Sequence, residues 1–79
     1  MLDLVQINFD GLSYTYQYFP EGNKLFPGEA IVNTSTNEIT FSSISSNDKR
    51  EKYASHAWSR LNTYLKTGKF LETDLVAWG

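Results

Sequence analysis

In the segment "LDLVQINFDGLSYTYQYF", residues 2 to 19, apolar and polar side chains alternate on both sides of Asp10-Gly11. Such alternation marks two antiparallel strands with one buried face. Asp-Gly suits a two-residue type I′ turn, because both central positions need positive φ. Pairing outward from that turn sets Phe9 opposite Leu12, Ile7 opposite Tyr14, Val5 opposite Tyr16 and Asp3 opposite Tyr18. Val5, Ile7, Phe9, Leu12, Tyr14 and Tyr16 then share the buried face, and Gln6, Asn8, Ser13, Thr15 and Gln17 share the other. Three residues break the sorting. Leu2, Leu4 and Phe19 fall on the polar face, grouped at the end far from the turn, so something is expected to cover them.

"PEGNKLFPGE", residues 20 to 29, reads as a loop, with Leu25 and Phe26 as its anchors into the core. A second hairpin follows in "EAIVNTSTNEITFSSI", where Asn33 can bond its own turn backbone and Asn37 can take the left-handed position. Ile31, Ile39 and Phe41 are the expected inward side chains, and a turn of this length admits a bulge that shifts the register by one.

The period then changes. Asp48 and Glu51 have the spacing of a capping box, and Gly68 is a natural stop. Between them Ala54, Ala57, Trp58, Leu61, Tyr64 and Leu65 form one apolar helical stripe, with Trp58 and Leu61 expected to be mostly buried against the Val5, Ile7, Tyr14 and Tyr16 face. "FLETDLVAWG" has no clean period and reads as a short turn and an extended tail with Trp78 packed down. The expected fold is α+β, one domain over residues 1 to 79. It comprises a four-stranded antiparallel sheet of two β-hairpins, one amphipathic helix packed on one face, and a short C-terminal tail at an edge or across the other face. Phe70, Leu75, Val76 and Trp78 make that tail the favoured lid for Leu2, Leu4 and Phe19, ahead of a second copy of the chain.

Composition narrows the chemistry more than it narrows the fold. With 41% hydrophobic and 15% aromatic residues, the chain has the makings of a folded core. Cysteine is absent, which removes disulfides, thiolate chemistry and Cys-based zinc sites. The start, "MLDLVQINFD", has no basic region followed by an apolar one, and no run approaches the roughly 20 residues of a membrane span. A cytoplasmic protein is the expectation.

Charge is unevenly placed. Residues 48 to 69 hold six of the seven Lys and Arg residues, a formal charge of about +4, while the rest of the chain sums to about −6. On a helical projection Lys49, Lys52, His56 and Arg60 form a ridge, with Lys66 further round the same solvent side. Lys49 and Arg50 would sit in the first helical turn, where the macrodipole disfavours cations. Such a ridge is either a solvated helix face or a contact for an anionic partner. The net charge of −2 and a pI near 5.2 oppose a nucleic-acid partner, whose affinity comes mainly from phosphate neutralisation. Tyr14, Tyr16 and Tyr18 resemble a base-stacking row, yet they fall on the face assigned to the helix, so they read as core.

Catalytic patterns are missing. His56, the sole histidine, has Lys52 and Arg60 as helical neighbours and no carboxylate to orient it. Ser55 and Ser59 beside it lack an acid in sequence reach, and no Gly-x-Ser-x-Gly elbow occurs. The acids are scattered, and Gly22 and Gly28 flank a loop without a phosphate-binding lysine-serine pattern. The expected function is therefore non-enzymatic: a small accessory or regulatory module acting by protein-protein contact, with no cofactor and no metal. Its expected partner-binding residues are Lys49, Lys52, His56, Arg60 and Lys66. A protein partner ranks first, nucleic acid bound by the basic helix face second, and a very small enzyme last. No membrane contact is expected, and a monomer is favoured over a homodimer.

Overall fold

One residue, Ile7, decides which half of the first strand is buried. The computed structural model describes residues 1 to 78. In it β1 (Leu2–Phe9) and β2 (Ser13–Pro20) form the first hairpin, and β3 (Gly28–Asn33) and β4 (Glu38–Ser43) the second. These are followed by α1 (Lys52–Thr67) and by β5 (Thr73–Val76). All strand neighbours are antiparallel, in the order β4-β3-β2-β1-β5. The sheet thus has five strands and not four, because the tail pairs along β1 as an edge strand.

The first turn differs from the two-residue Asp10-Gly11 reading. Asp10 donates its N–H to the Ser13 carbonyl, and its carboxylate accepts from Leu12 N–H at 3.0 Å and Ser13 N–H at 2.8 Å. Gly11, not Asp10, carries the positive φ, at 99°. Phe9 therefore opposes Tyr14, and a bulge between Gln6 and Asn8 shifts the register again, so that Gln6 opposes Tyr16, Leu4 opposes Tyr18 and Leu2 opposes Pro20. An extra residue in one strand reverses the facing of everything beyond it. Tyr14, Tyr16 and Tyr18 stay on the helix side as expected, while Leu2 and Leu4 swing under the helix and Val5 leaves it.

The core is built on that exchange. Leu2, Leu4, Tyr16, Tyr18, Ala30, Val32 and Val76 from the sheet meet Ala54, Ala57, Leu61 and Tyr64 from α1. The two alanines bring the helix close to the sheet, and Leu61 is wholly buried. Trp58 is not: it is 47% exposed, at the margin of the stripe whose centre is Ala54, Ala57, Leu61 and Tyr64. Ile39 and Phe41 pack against the core from β4 as expected, but Ile31 points to the opposite face and Val32 takes the inward place. Asn33 does accept from the Ser35 and Thr36 N–H groups, Asn37 is left-handed at φ 59°, and a register shift occurs beside Glu29. Leu25 and Phe26 are not anchors, since Leu25 is 81% exposed. Gly28 lies flat against the Tyr18 ring, where any Cβ would overlap it.

The helix start also departs from a capping box. Glu51 occupies the N-cap position in the left-handed region and makes no side-chain cap. The buried Asp48 caps from further back, its carboxylate accepting the Tyr53 N–H at 3.1 Å and the Ala54 N–H at 2.8 Å. These are donors that a helix leaves unsatisfied in its first turn. Tyr18 donates its hydroxyl to the same carboxylate and receives the Ser45 N–H. Gly68 ends the helix as expected, left-handed, with its N–H on the Tyr64 carbonyl.

Buried phenols make stability sensitive to alkali. Burial, above all, pushes the hydroxyls of Tyr16, Tyr18 and Tyr64 upward from 10.0, Tyr18 to about 12. Because the folded state raises these pKa values, their contribution is intact below the unfolded value of 10.0 and is lost as pH rises through the folded ones. The urea midpoint should hold steady between about pH 7 and 9 and fall above about pH 10, with tyrosinate absorbance appearing together with unfolding. Ionisation of all five tyrosines near their ordinary value, with the fold intact, would contradict the burial of these hydroxyls.

Candidate functional site

Asp74 of β5 organises the flank of α1 that faces the tail. Its carboxylate accepts from Arg60 Nη1 at 2.7 Å and from the Tyr64 hydroxyl at 2.5 Å. A turn earlier, the His56 imidazole lies parallel to the Trp78 indole with ring centres 3.7 Å apart, and Tyr53 meets the same indole edge-on. The C-terminal tail, β5 and the Trp78 that follows it, thereby fixes two of the five expected partner-binding side chains. Trp78 is packed down as expected, but on the helix flank: the tail does not cross the far side of the sheet. It buries Val76 opposite Leu2, while Leu75 remains 57% exposed. Phe70 stacks on Tyr14, which in turn stacks on Phe9.

The other expected site residues divide differently. Lys49 lies in the turn before α1, so neither it nor Arg50 belongs to the first helical turn. Lys52 opens the helix and Lys66 lies in its last turn. At 1.5 Å per residue the two helical lysines are about 21 Å apart. Lys49, Lys52 and Lys66 are exposed and take part in no ion pair among the described residues. Lys52, His56 and Arg60 keep their four-residue spacing along α1, whereas Lys49 stands outside the helix. The five residues form a fixed centre, His56 and Arg60, with free lysines beyond it at either end.

Two hollows accompany this layout. The smaller, of about 150 Å³, lies along α1 beside β5 and is lined by His56, Ser59, Arg60, Thr63 and Val76. Ser59 and Thr63 join the site only through structure. Their spacing from His56, three and seven residues, places all of them on one helix face and was the signal available in the sequence. The larger hollow, of about 440 Å³, is an open depression on the uncovered sheet face, lined by Asp3, Leu4, Val5, Lys24, Thr73, Asp74 and Leu75. Its two outward charges already pair, Lys24 with Asp3 at 3.4 Å, and Lys24 also lies over the Phe19 ring. Phe19 is buried, at 6% exposure, although the tail does not cross this face. The rest of this face follows the strand register and carries Glu29, Ile31 and Asn33 from β3, Glu38 and Thr40 from β4, and Thr15 and Gln17 from β2. Its acids face away from the basic helix.

Among the described residues, no group of three His, Asp or Glu side chains could hold a metal ion. No helix among the described residues is long and apolar enough to cross a membrane. Comparison with protein-family models, with curated proteins and with solved structures gives no match, so functional statements rest on this chain's own residues.

Proposed function

We propose that this chain is a small non-enzymatic accessory or regulatory module that works by protein-protein contact, presenting the outward face of α1 to an anionic segment of a partner. The carrying observation is the composition of that helix. Its sixteen residues include Lys52, His56, Arg60 and Lys66 and not one Asp or Glu. A helix face that only meets water gains from mixed signs, since oppositely charged side chains four residues apart support it. This one has no acid of its own, and the acids that touch it come from outside the helix: Asp48 at its start, Glu21 on the Tyr53 hydroxyl, and Asp74 on Arg60 and Tyr64. Asp3, Glu29 and Glu38 lie on the sheet face turned away from the helix, so they do not neutralise it at short range. Nucleic acid fits the same layout less well. The tyrosines that could stack on bases are under the helix, and the remainder of the surface repels phosphate.

The test replaces Lys49, Lys52 and Lys66 together by Gln. Exposed charges of this kind contribute about 0–1 kcal/mol each to stability, so the melting temperature should barely change. Wild type and variant are then compared as baits in a native lysate, with and without nuclease, at low and moderate salt. Support is a protein retained by the wild type, insensitive to nuclease, weakened by salt and lost from the variant. Equal capture by both baits would overturn the reading, and capture abolished by nuclease would replace it with nucleic-acid binding.

A further inference from the structure

We infer that the cleft lined by His56, Ser59, Arg60 and Thr63 receives a phosphate monoester, the phosphorylated serine or threonine of the anionic partner segment. This deepens the reading of α1 as a protein-contact face and rests on it.

The first ground is the donor set. An Arg guanidinium offers five N–H donors in a planar fork, and Arg60 spends one contact on Asp74. The Ser59 hydroxyl has no partner among the described side-chain hydrogen bonds, and that of Thr63 donates only to the Ser59 carbonyl, at 3.2 Å. No carboxylate lines the cleft. A phosphate monoester carries close to two charges and three strong acceptor oxygens, and the guanidinium fork matches two of those oxygens. A carboxylate would use fewer of these donors.

The second ground is preorganisation. Long cationic side chains on a helix surface normally lose rotamer freedom when they bind, and that loss weakens association. Here the loss has largely been taken during folding. Asp74, itself held by Tyr64, fixes the guanidinium, and Trp78 fixes the imidazole by stacking. Val76 of β5 lines the hollow beside them. Folding alone does not require both side chains to be held at one hollow.

The third ground is size and isolation. At about 150 Å³ the cleft is smaller than the roughly 300–1,000 Å³ of small-molecule pockets, which suits one functional group and not a nucleoside. A nucleic-acid backbone would need further cations in register beside it. The helical lysines instead stand near the two ends of α1, where they can meet acidic residues flanking a single phosphorylated position.

The experiment is an amide NMR titration of the whole chain at constant ionic strength, with three probes: N-acetyl-O-phosphoserine amide, its unphosphorylated counterpart, and inorganic phosphate. Saturable shifts confined to the amides of His56, Ser59, Arg60, Thr63 and Val76, given by the phosphorylated probe and not by its counterpart, would support the inference. Inorganic phosphate should give the same map more weakly. Arg60→Gln should weaken the phosphorylated probe by roughly tenfold, the scale of one charge-assisted hydrogen bond. Ser59→Ala should weaken it while leaving the fold untouched, which guards against an Arg60 variant that simply misfolds. Shifts that never saturate and spread over all exposed lysines would overturn the inference. So would a partner, captured through Lys49, Lys52 and Lys66, whose binding survives both phosphatase and Ser59→Ala; the contact face would then stand without a phosphate. Equal capture by the triple lysine variant removes the contact face itself, whatever the titration gives.

Discussion

Leu61→Ala should lower the stability of the fold by roughly 2–5 kcal/mol, the range for removing a fully buried leucine and leaving a cavity behind. Leu61 has no exposed surface and stands at the middle of the helix stripe that meets Leu2, Leu4, Tyr16 and Val32. A domain of 79 residues has a total of about 4–12 kcal/mol at ordinary stability per residue, so this one change removes a large share of it. Trp58→Ala is the internal comparison. Trp58 is the larger side chain, but nearly half of it faces water, and its loss should cost clearly less. Urea denaturation of the two variants fixes the phase of the helix on the sheet. A Leu61→Ala protein that melts within about a degree of the parent, or a Trp58→Ala protein that is the worse of the two, would mean that α1 turns a different side to the sheet.

The helix was legible because its signals are local. Gly68 at the stop and the 3.6-residue stripe depend on neighbours within a turn or two, and they stand where the pattern put them. Trp58 was misplaced because a stripe has width, and the sequence does not say where the sheet beneath it ends. Strand facing was harder, since it passes from the turn outward through every residue. The first hairpin inverted at Ile7, and the trace of that inversion was visible as Leu2 and Leu4 on the wrong face. Two apolar residues displaced together, beyond one point of an otherwise well-sorted strand, are what a bulge leaves in a sequence. The bulge also puts Gln6 under the helix, where its side-chain oxygen accepts from the Tyr16 hydroxyl at 3.3 Å. The tail was unreadable for another reason. A four-residue edge strand has almost no period of its own, and its place is set by Val76 meeting Leu2 and Asp74 meeting Arg60 across long stretches of chain.

The candidate site was legible to the same limited extent. His56 and Arg60 could be placed on one helix face from their spacing. Their fixation by Trp78 and Asp74 needed the tail's position, and the separation of Lys49 from the helix needed the backbone turn that Asp48 and Glu51 make instead of a capping box. Asp48 itself was read as a local cap. In the fold it joins α1 to β2, because the carboxylate that receives the helix N–H groups also receives the Tyr18 hydroxyl.

Deleting residues 75 to 79 should destabilise the chain by roughly 3–5 kcal/mol and promote self-association. Val76 is almost fully buried opposite Leu2, and burying an aliphatic side chain contributes about 1.5–3 kcal/mol. Its removal also uncovers Leu2, and loss of Trp78 frees the faces of His56 and Tyr53 that stack on it. A second effect concerns the edge. Without half of β5, the outer side of β1 presents unpaired backbone groups beside a newly exposed leucine, and such an edge is a template for pairing with another chain. The truncated protein should therefore melt lower than the full chain and sediment as a mixture whose larger species grow with concentration. A second deletion, of residues 77 to 79, keeps β5 and Val76 while removing Trp78, and it should remain monomeric with a smaller loss of stability. If the longer deletion stays monomeric and melts with the parent, Val76 and Trp78 contribute nothing to the fold, and the pinning of His56 by stacking on Trp78 loses its energetic basis.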